Sequence, residues 1–285
     1  MTPDIAAYLA RIGYQGPAQT IPGSLGSSPP EPTLDTLHGL VAAHNRSIPF
    51  ENLDPLMGIP VHDLTAEALT AKLVRRRRGG YCYENNGVMG YALEALGYEV
   101  DRLAGRVVWM QPPGAPQSGL THNVLAVAVP GTEGRFLVDV GFGGQTLSSP
   151  IRLQAGPVQQ TRHEPYRLIE HPEGLQLQAQ VRGEWQPLYQ FGLHTQPLVD
   201  LSIGSWYSST YPTAVFVVGL SVALVTDDAR WNLRGRNLAI HSGGDTEKIR
   251  LSSAADVVDQ LVDRFGIDVS GLGDVEARVS QVLDS

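Results

Sequence analysis

Three side chains stand where each is out of keeping with its neighbours. Cys82 is the only cysteine in 285 residues and lies in "RRRRGGYCYENNG", behind a Gly79-Gly80 turn and ahead of a helical pattern. His122 opens "THNVLAVAVP" and would share one strand face with Val124, Ala126 and Ala128, an imidazole at the head of an apolar row. Further on, "RFLVDVGFGG" sets Asp139 between Val138 and Val140 in the middle of an apolar strand, where an unpaired charge is costly to bury. These types together can perform nucleophilic catalysis. A free thiol with a pKa of about 8.5 is mostly protonated at neutral pH, so it needs a partner that favours the anion. Histidine is the usual one, and a carboxylate behind it fixes the tautomer and stabilises the imidazolium.

Against this stands the plain reading of a lone cysteine as a small buried hydrophobe, and of His122 as a satisfied core histidine. The Gly-Gly turn, the helix N-terminus that follows and the adjacent arginines shift the balance toward a reactive thiol. Of the other histidines, His38 and His44 fall on an early helix, His62 in a loop, and His163, His171 and His194 at polar turns; surface or capping roles suit them better. The glycine-rich "GFGG" at 141–144 fails the dinucleotide pattern because Thr146 takes the place of the third glycine, and no Walker-type lysine follows. It is left as a loop whose amides could approach an anion such as a pyrophosphate. One cysteine and scattered histidines give no zinc spacing, so no metal is expected.

The elements that must position these groups follow from periodicity. Residues 3–12 and 34–45 have helical spacing, the second with Leu34, Leu37, Leu40 and Val41 on one face after a Thr33 cap. "LTAEALTAKLVRRRRGG" reads as a helix begun by Thr65, with Glu67 in its first turn, cations in its last and Gly79 as its stop, which accounts for the arginine run without a nucleic-acid role. After Cys82 the spacing of Val88, Met89, Ala92, Leu93 and Leu96 predicts a helix stopped by Gly97. Gly87 and Gly90 within it should each cost about 1 kcal/mol against alanine, so close backbone packing is the expected compensation.

From residue 98 short alternating segments predict antiparallel β structure, a barrel or curved sheet. Past residue 211 the pattern becomes a buried strand, "VFVVGLSVALVT", then "RNLAIHS", "EKIRL" and a terminal helix stopped by Gly266. The stretch 19–31 is Pro-, Gly- and Ser-rich and reads as a surface loop. A net charge of −8 leaves no broad basic face for nucleic acid, the start lacks a signal-peptide pattern, and no apolar run is long enough to span a bilayer. With no internal disulfide possible, a cytoplasmic protein without a membrane partner is expected, as monomer or homo-oligomer.

Several segments resemble the arylamine N-acetyltransferases, especially actinobacterial ones: "RGGYCYE" from Arg78, "THNVLAV", "VDVGFGG" at 138–144, "IPFENLD" near residue 50, "WYSSTYP" at 206–212, "DDARWNLRGRNLAIH" at 227–241 and "TEKIRL". The likeness spans nearly the whole chain. It implies an α+β fold with a helical bundle (1–97) carrying the nucleophile, an antiparallel β-barrel (98–210) carrying His and Asp, and an α/β lid (211–285), around a transglutaminase- or papain-like cysteine triad. It further implies ping-pong transfer of acetyl from acetyl-CoA to arylamines and arylhydrazines, in xenobiotic metabolism, with Cys82, His122 and Asp139 as the triad and Arg78 paired to Glu51. Thr121, Gly141, Phe142, Gly143, His241 and Lys248 are implied near coenzyme A, and Phe50, Trp109, Phe142 and Phe216 in the substrate pocket, with Thr121 at its edge.

Two departures from the family pattern are the long 19–31 loop and Ser221, which stands where some relatives have a pocket-facing methionine. A cysteine hydrolase using the same triad, a non-catalytic binding module, and an amide synthase with another acyl donor remain as competing readings.

Overall fold

The computed structural model describes residues 4–16, 29–112 and 114–283. Most of the 19–31 stretch lies outside the described residues. The front of the chain is helical: α1 (Ile5–Ile12), α2 (Leu34–Ser47), the single turn α3 (Leu53–Leu56), α4 (Ala66–Leu69) and α5 (Cys82–Ala95). Their ends follow local chemistry. Thr33 caps α2 by accepting the Thr36 N–H, and Gly13 ends α1 in the left-handed region at φ 64°. Tyr8 and Ile12 of α1, Leu37, Leu40 and Val41 of α2, and Val88, Met89 and Leu93 of α5 share one buried core.

The arginine run departs from expectation. α4 is capped by Thr65, as expected, but continues as a π-helical stretch, Thr70–Arg75, and stops at Arg76 rather than at Gly79. Arg77 then takes φ 49° and turns the chain so that Arg75, Arg76 and Arg77 face solvent while Arg78 is 1% exposed. Gly79 is needed for another reason: a Cβ there would lie 2.2 Å from the Pro49 carbonyl oxygen.

An eight-stranded antiparallel sheet follows, in the order β5 (Ile151–Arg152), β4 (Arg135–Val138), β3 (His122–Ala128), β2 (Glu99–Val107), β9 (Glu184–Phe191), β8 (Gly174–Val181), β7 (Tyr166–His171), β6 (Val158–Gln159). It curls into a nearly closed barrel. Past β5, Ala155 bridges Leu168 of β7 and the Gly156 N–H donates to the Leu168 carbonyl at 2.9 Å. Alternate β3 residues face opposite ways: Val124 and Ala126 fill the barrel, Leu125 and Val127 pack on the helices.

The later chain holds α6 (Leu198–Thr210), α7 (Val215–Val218), a second sheet, α8 (Ala254–Asp259) and α9 (Val275–Val282). The sheet runs β1 (Phe50–Glu51), β10 (Ser221–Val225), β11 (Ala229–Arg234), β12 (Asn237–Ser242), β13 (Asp245–Arg250), so Phe50 ties the helical part to the C-terminal layer. The apolar run expected as one strand from residue 215 is a helical turn and then a strand. Asn52 Nδ2 donates to the Phe216 and Gly219 carbonyls and its Oδ1 accepts the Ser221 N–H, splitting the run. α6 was not expected because its buried face is made of Leu201, Ser205, Ser208 and Ser209, which gives little apolar period.

Beneath the Cys82 turn lies an ion cluster. Arg78 Nη2 is 2.7 Å from Glu51 and 2.9 Å from Asp54, while Lys72 Nζ is 2.6 Å from both Asp54 and Glu84. Three carboxylates face two cations, and burial further disfavours charge. Burial and the neighbouring acids outweigh Lys72, pushing Glu84 up to about 7. The same acids outweigh burial at Lys72 and raise its pKa. An unfolded Glu releases its proton near 4.5, so between that pH and about 7 the folded state binds more protons, and stability falls as pH rises. Urea unfolding of wild type and Glu84→Gln across this range should show the wild type losing ground with rising pH and the difference flat above it. Parallel stability curves would mean that Glu84 stays charged throughout.

Candidate active site

Cys82 is the first residue of α5, so its thiol sits at the positive end of the helix dipole. The entry turn is fixed from inside. The Tyr81 N–H donates to Glu84 Oε2 at 3.2 Å, and Asn85 Nδ2 donates to the Gly80 carbonyl at 2.6 Å. The thiol is 3% exposed, and its Sγ–H donates to the Thr121 carbonyl at 3.5 Å. The next residue, His122, is the first of β3, and the Cys82 thiol beside its ring helps to hold that ring protonated.

His122 Nε2 is 2.8 Å from Asp139 Oδ2, with both side chains buried. That leaves Nδ1 for the thiol. Burial alone would drive the ring neutral, but the Asp139 charge, its hydrogen bond and the contact with Cys82 override it and push His122 up to about 10. Likewise burial would raise Asp139, yet His122, Asn86 and the Gly141 N–H hold it below the ordinary carboxylate value. Asp139 is not in mid-strand as expected: β4 ends at Val138, and the turn beyond frees the backbone to wrap its own carboxylate.

Aromatic rings pack around His122. Tyr189 and Phe142 lie 4.6 Å and 5.3 Å from the His122 ring, centroid to centroid. Phe216 is 5.8 Å from Phe50 and 5.2 Å from Tyr81, the residue before Cys82. Gly143, at φ 87°, would bring a Cβ to 3.4 Å from the Phe50 ring. Trp109 is half-buried and packs on the barrel core. Gly141 leaves no room for a side chain, since a Cβ would lie 2.7 Å from Cys82 Cα.

The 141–146 loop is tied inward. The Gly141 N–H goes to Asp139 and the Phe142 N–H to Thr146 Oγ1, so these two amides are not free to meet an anion. Thr146 Oγ1 also donates to the Asp139 carbonyl, and Tyr166 donates to that of Gln145. His241 on β12 is bonded through Nδ1 to Thr246 at 2.9 Å, and Lys248 on β13 pairs with Ala239; both belong to the second sheet. Ser221 opens β10.

His44 does not have the surface role expected of it. It is fully buried, with Nδ1 2.9 Å from Tyr8 Oη and Nε2 3.3 Å from Asn85 Oδ1, and burial pushes it down to about 3. Sequence reasoning also missed Asn86 and Tyr189. The signal for Asn86 was its place four residues after Cys82, on the same helix face as the thiol. Among the described residues no group of three or more His, Cys, Asp or Glu could hold a metal ion, and no helix is long and apolar enough to cross a membrane.

Residues 33–273 match the family model described as N-acetyltransferase. The chain is 64% identical over 287 residues to the arylamine N-acetyltransferase of Mycolicibacterium smegmatis, covering 100% of both chains. A solved M. smegmatis arylamine N-acetyltransferase structure aligns at a TM-score of 0.93 and 65% identity, covering 99% of each chain. The Mycobacterium marinum arylamine N-acetyltransferase in complex with CoA aligns at 0.92 and 59% identity, covering 98% of this chain and 99% of that one. The α+β fold with its nearly closed barrel is that of these structures, and it defines an acyltransferase. Within that class, the chain belongs to the arylamine N-acetyltransferase family.

The charged state of His122 is open to measurement. Nitrogen-15 NMR of the ring should report imidazolium at pH 8 and deprotonation only near pH 10. In Asp139→Asn, where burial is no longer opposed by a carboxylate, the ring should be neutral at pH 8. A ring already neutral in wild type at pH 8 would contradict the electrostatics derived above.

Proposed function

We propose that the protein acetylates arylamines and arylhydrazines from acetyl-CoA through an acetyl-Cys82 intermediate. The observation that carries the reading is the His122 ring placed beside the only thiol of the chain with its Nε2 2.8 Å from a buried carboxylate. Cys82, ionised by loss of its thiol proton to solvent, attacks the thioester carbonyl carbon as a thiolate, and the tetrahedral intermediate collapses with loss of CoA, whose sulfur takes the His122 Nδ1 proton. Backbone N–H groups at the start of α5, that of Cys82 among them, face the developing oxyanion. The amine nitrogen then attacks the acetyl carbon, neutral His122 takes its proton, and Cys82 leaves as a thiolate beside a restored imidazolium. Asp139 stays ionised and orients the ring.

Exchange between thiols is close to isoenergetic, so the first step is reversible, and amide formation gives the sequence its direction. Phe50, Phe142 and Phe216 would flank the acetyl group and the aryl ring, with Trp109 and Thr121 at the edge. Arylamines suit such walls because their nitrogen is largely unprotonated near neutral pH and enters without desolvating a charge. The CoA complex of the M. marinum relative supports the donor. For this chain we assign Gly141, Phe142 and Gly143 to its approach as the surface it passes, not as donors of the bonded Gly141 and Phe142 amides, with His241 and Lys248 on the second sheet as its outer contacts.

Intact mass after brief exposure to acetyl-CoA should show one added acetyl group on wild type and none on Cys82→Ser. A hydrazine should discharge the adduct as the acetylhydrazide. An adduct on the serine variant, or loss of acetyl to water as fast as to the amine, would overturn the transferase reading in favour of another site or a hydrolase.

A further inference from the structure

Asn86 occupies a position that the chemistry above does not use. It is fully buried on α5, one turn beyond Cys82, and every polar atom of its side chain is engaged. Nδ2 donates to Asp139 Oδ1 at 2.9 Å and to the Asn123 carbonyl at 2.6 Å, while Oδ1 accepts the Val140 N–H at 2.9 Å. One amide thus spans the two segments that carry the imidazole and the carboxylate, and it does so from the helix that carries the thiol. We infer that Asn86 is a positioning residue that holds the Asp139 carboxylate turned toward His122 and sets the reach between that pair and Cys82.

This rests on the triad reading of the site. Asp139 Oδ2 meets His122, and Oδ1 is shared by Asn86 and the Gly141 N–H, with the Tyr189 ring beside the pair. Gly141 belongs to the same turn as Asp139 and moves with it. Asn86 is therefore the side chain that references the carboxylate to α5. The close approach of Gly141 to Cys82 Cα lets this turn sit directly on the helix, within reach of an amide as short as asparagine's. Leucine would fill the space without the bonds, leaving the Asn123 carbonyl and the Val140 N–H buried without this partner. Aspartate would keep one bond and set two carboxylates together.

The test compares Asn86→Ala with Asn45→Ala. Asn45 is also a buried asparagine, but its Nδ2 donates to the Leu147 carbonyl at 2.8 Å, away from the triad. Three quantities are read: stability, the rate and KM of acetyl-enzyme formation from acetyl-CoA, and the pH at which the His122 ring loses its proton. Besides Asp139, the titratable groups facing that pair are Cys82, Tyr189 and Tyr166, which both variants leave in place.

Asn86→Ala should slow acetylation by roughly ten- to a hundredfold, the scale expected when reacting groups are misplaced by about 1 Å, with KM little changed. It should also bring the ring's deprotonation down by about one pH unit or more, because a loosened carboxylate supports the imidazolium less well. Asn45→Ala should lose stability and change neither rate nor ring titration. If Asn86→Ala behaves like Asn45→Ala, the proposal is overturned. Should Asn86→Ala fail to fold, Asn86→Ser carries the same comparison, and failure of both would make Asn86 a structural residue and overturn the proposal as well. Wild type that forms no acetyl adduct would end the transferase reading, while the ring titration would still decide the role of Asn86.

Discussion

A buried carboxylate organises this molecule. Asp139 is 1% exposed, and a carboxylate taken out of water is tolerable only where cations and donors replace the lost solvent. Here His122, Asn86 and the Gly141 N–H do so, and each comes from a different stretch of chain. Meeting that one demand fixes the end of β4 against the start of β3 and both against α5. The imidazolium is then a consequence: with the carboxylate held charged beside it, the ring keeps its proton far above its ordinary range despite burial. The thiol inherits a cationic neighbour because an acid was buried behind it.

Such a centre needs a rigid frame, and α5 supplies it. Its glycines let other parts of the chain come close: a Cβ at Gly87 would meet Leu69 at 2.6 Å, and one at Gly90 would lie 3.3 Å from Arg102 and 3.5 Å from Leu125. Consecutive asparagines work in opposite directions. Asn85, continued by His44 and Tyr8, secures the turn that enters the helix, while Asn86 secures the acid. Below them the Arg78 and Lys72 cluster charges the interior heavily, and pairing at 2.6–2.9 Å is what makes that tolerable. Losing one partner from such a cluster generally costs about 3–5 kcal/mol because the others are left buried and unpaired. The frame thus depends on complete pairing more than on any single ion pair.

Legibility in the sequence followed how far a residue broke its local pattern. Cys82 stands alone of its kind, His122 heads an apolar row and Asp139 interrupts another, so all three could be singled out before any contact was known. Asn86 broke no pattern: beyond its place one turn after Cys82 it looks like a solvated helix residue, and the fold shows that both its donors and its acceptor are used. Tyr189 similarly sits in an ordinary strand. Helix boundaries read from Gly alone misled at Gly79, whose role is to clear the Pro49 carbonyl, and succeeded at Gly97, which does take a positive φ of 96°. α6 escaped because serines, with no period to read, form its buried face against Tyr81. Where burial is achieved by small or hydrogen-bonded residues, hydrophobic spacing carries no signal.

The depth of the thiol bears on why transfer would prevail over hydrolysis. At 3% exposure Cys82 lies beside the Thr121 carbonyl, in the same buried cluster as Tyr81, against which Phe216 packs. An acyl group on that sulfur would be flanked by aromatic faces, against which an aryl ring gains contact area and water gains nothing. Selectivity for an aromatic nucleophile would then need no dedicated hydrogen bond to the acceptor. It would follow from the same burial that makes the Asp139 and His122 pair strong, so that the electrostatics of that pair and the choice of acceptor would be two effects of one water-poor environment.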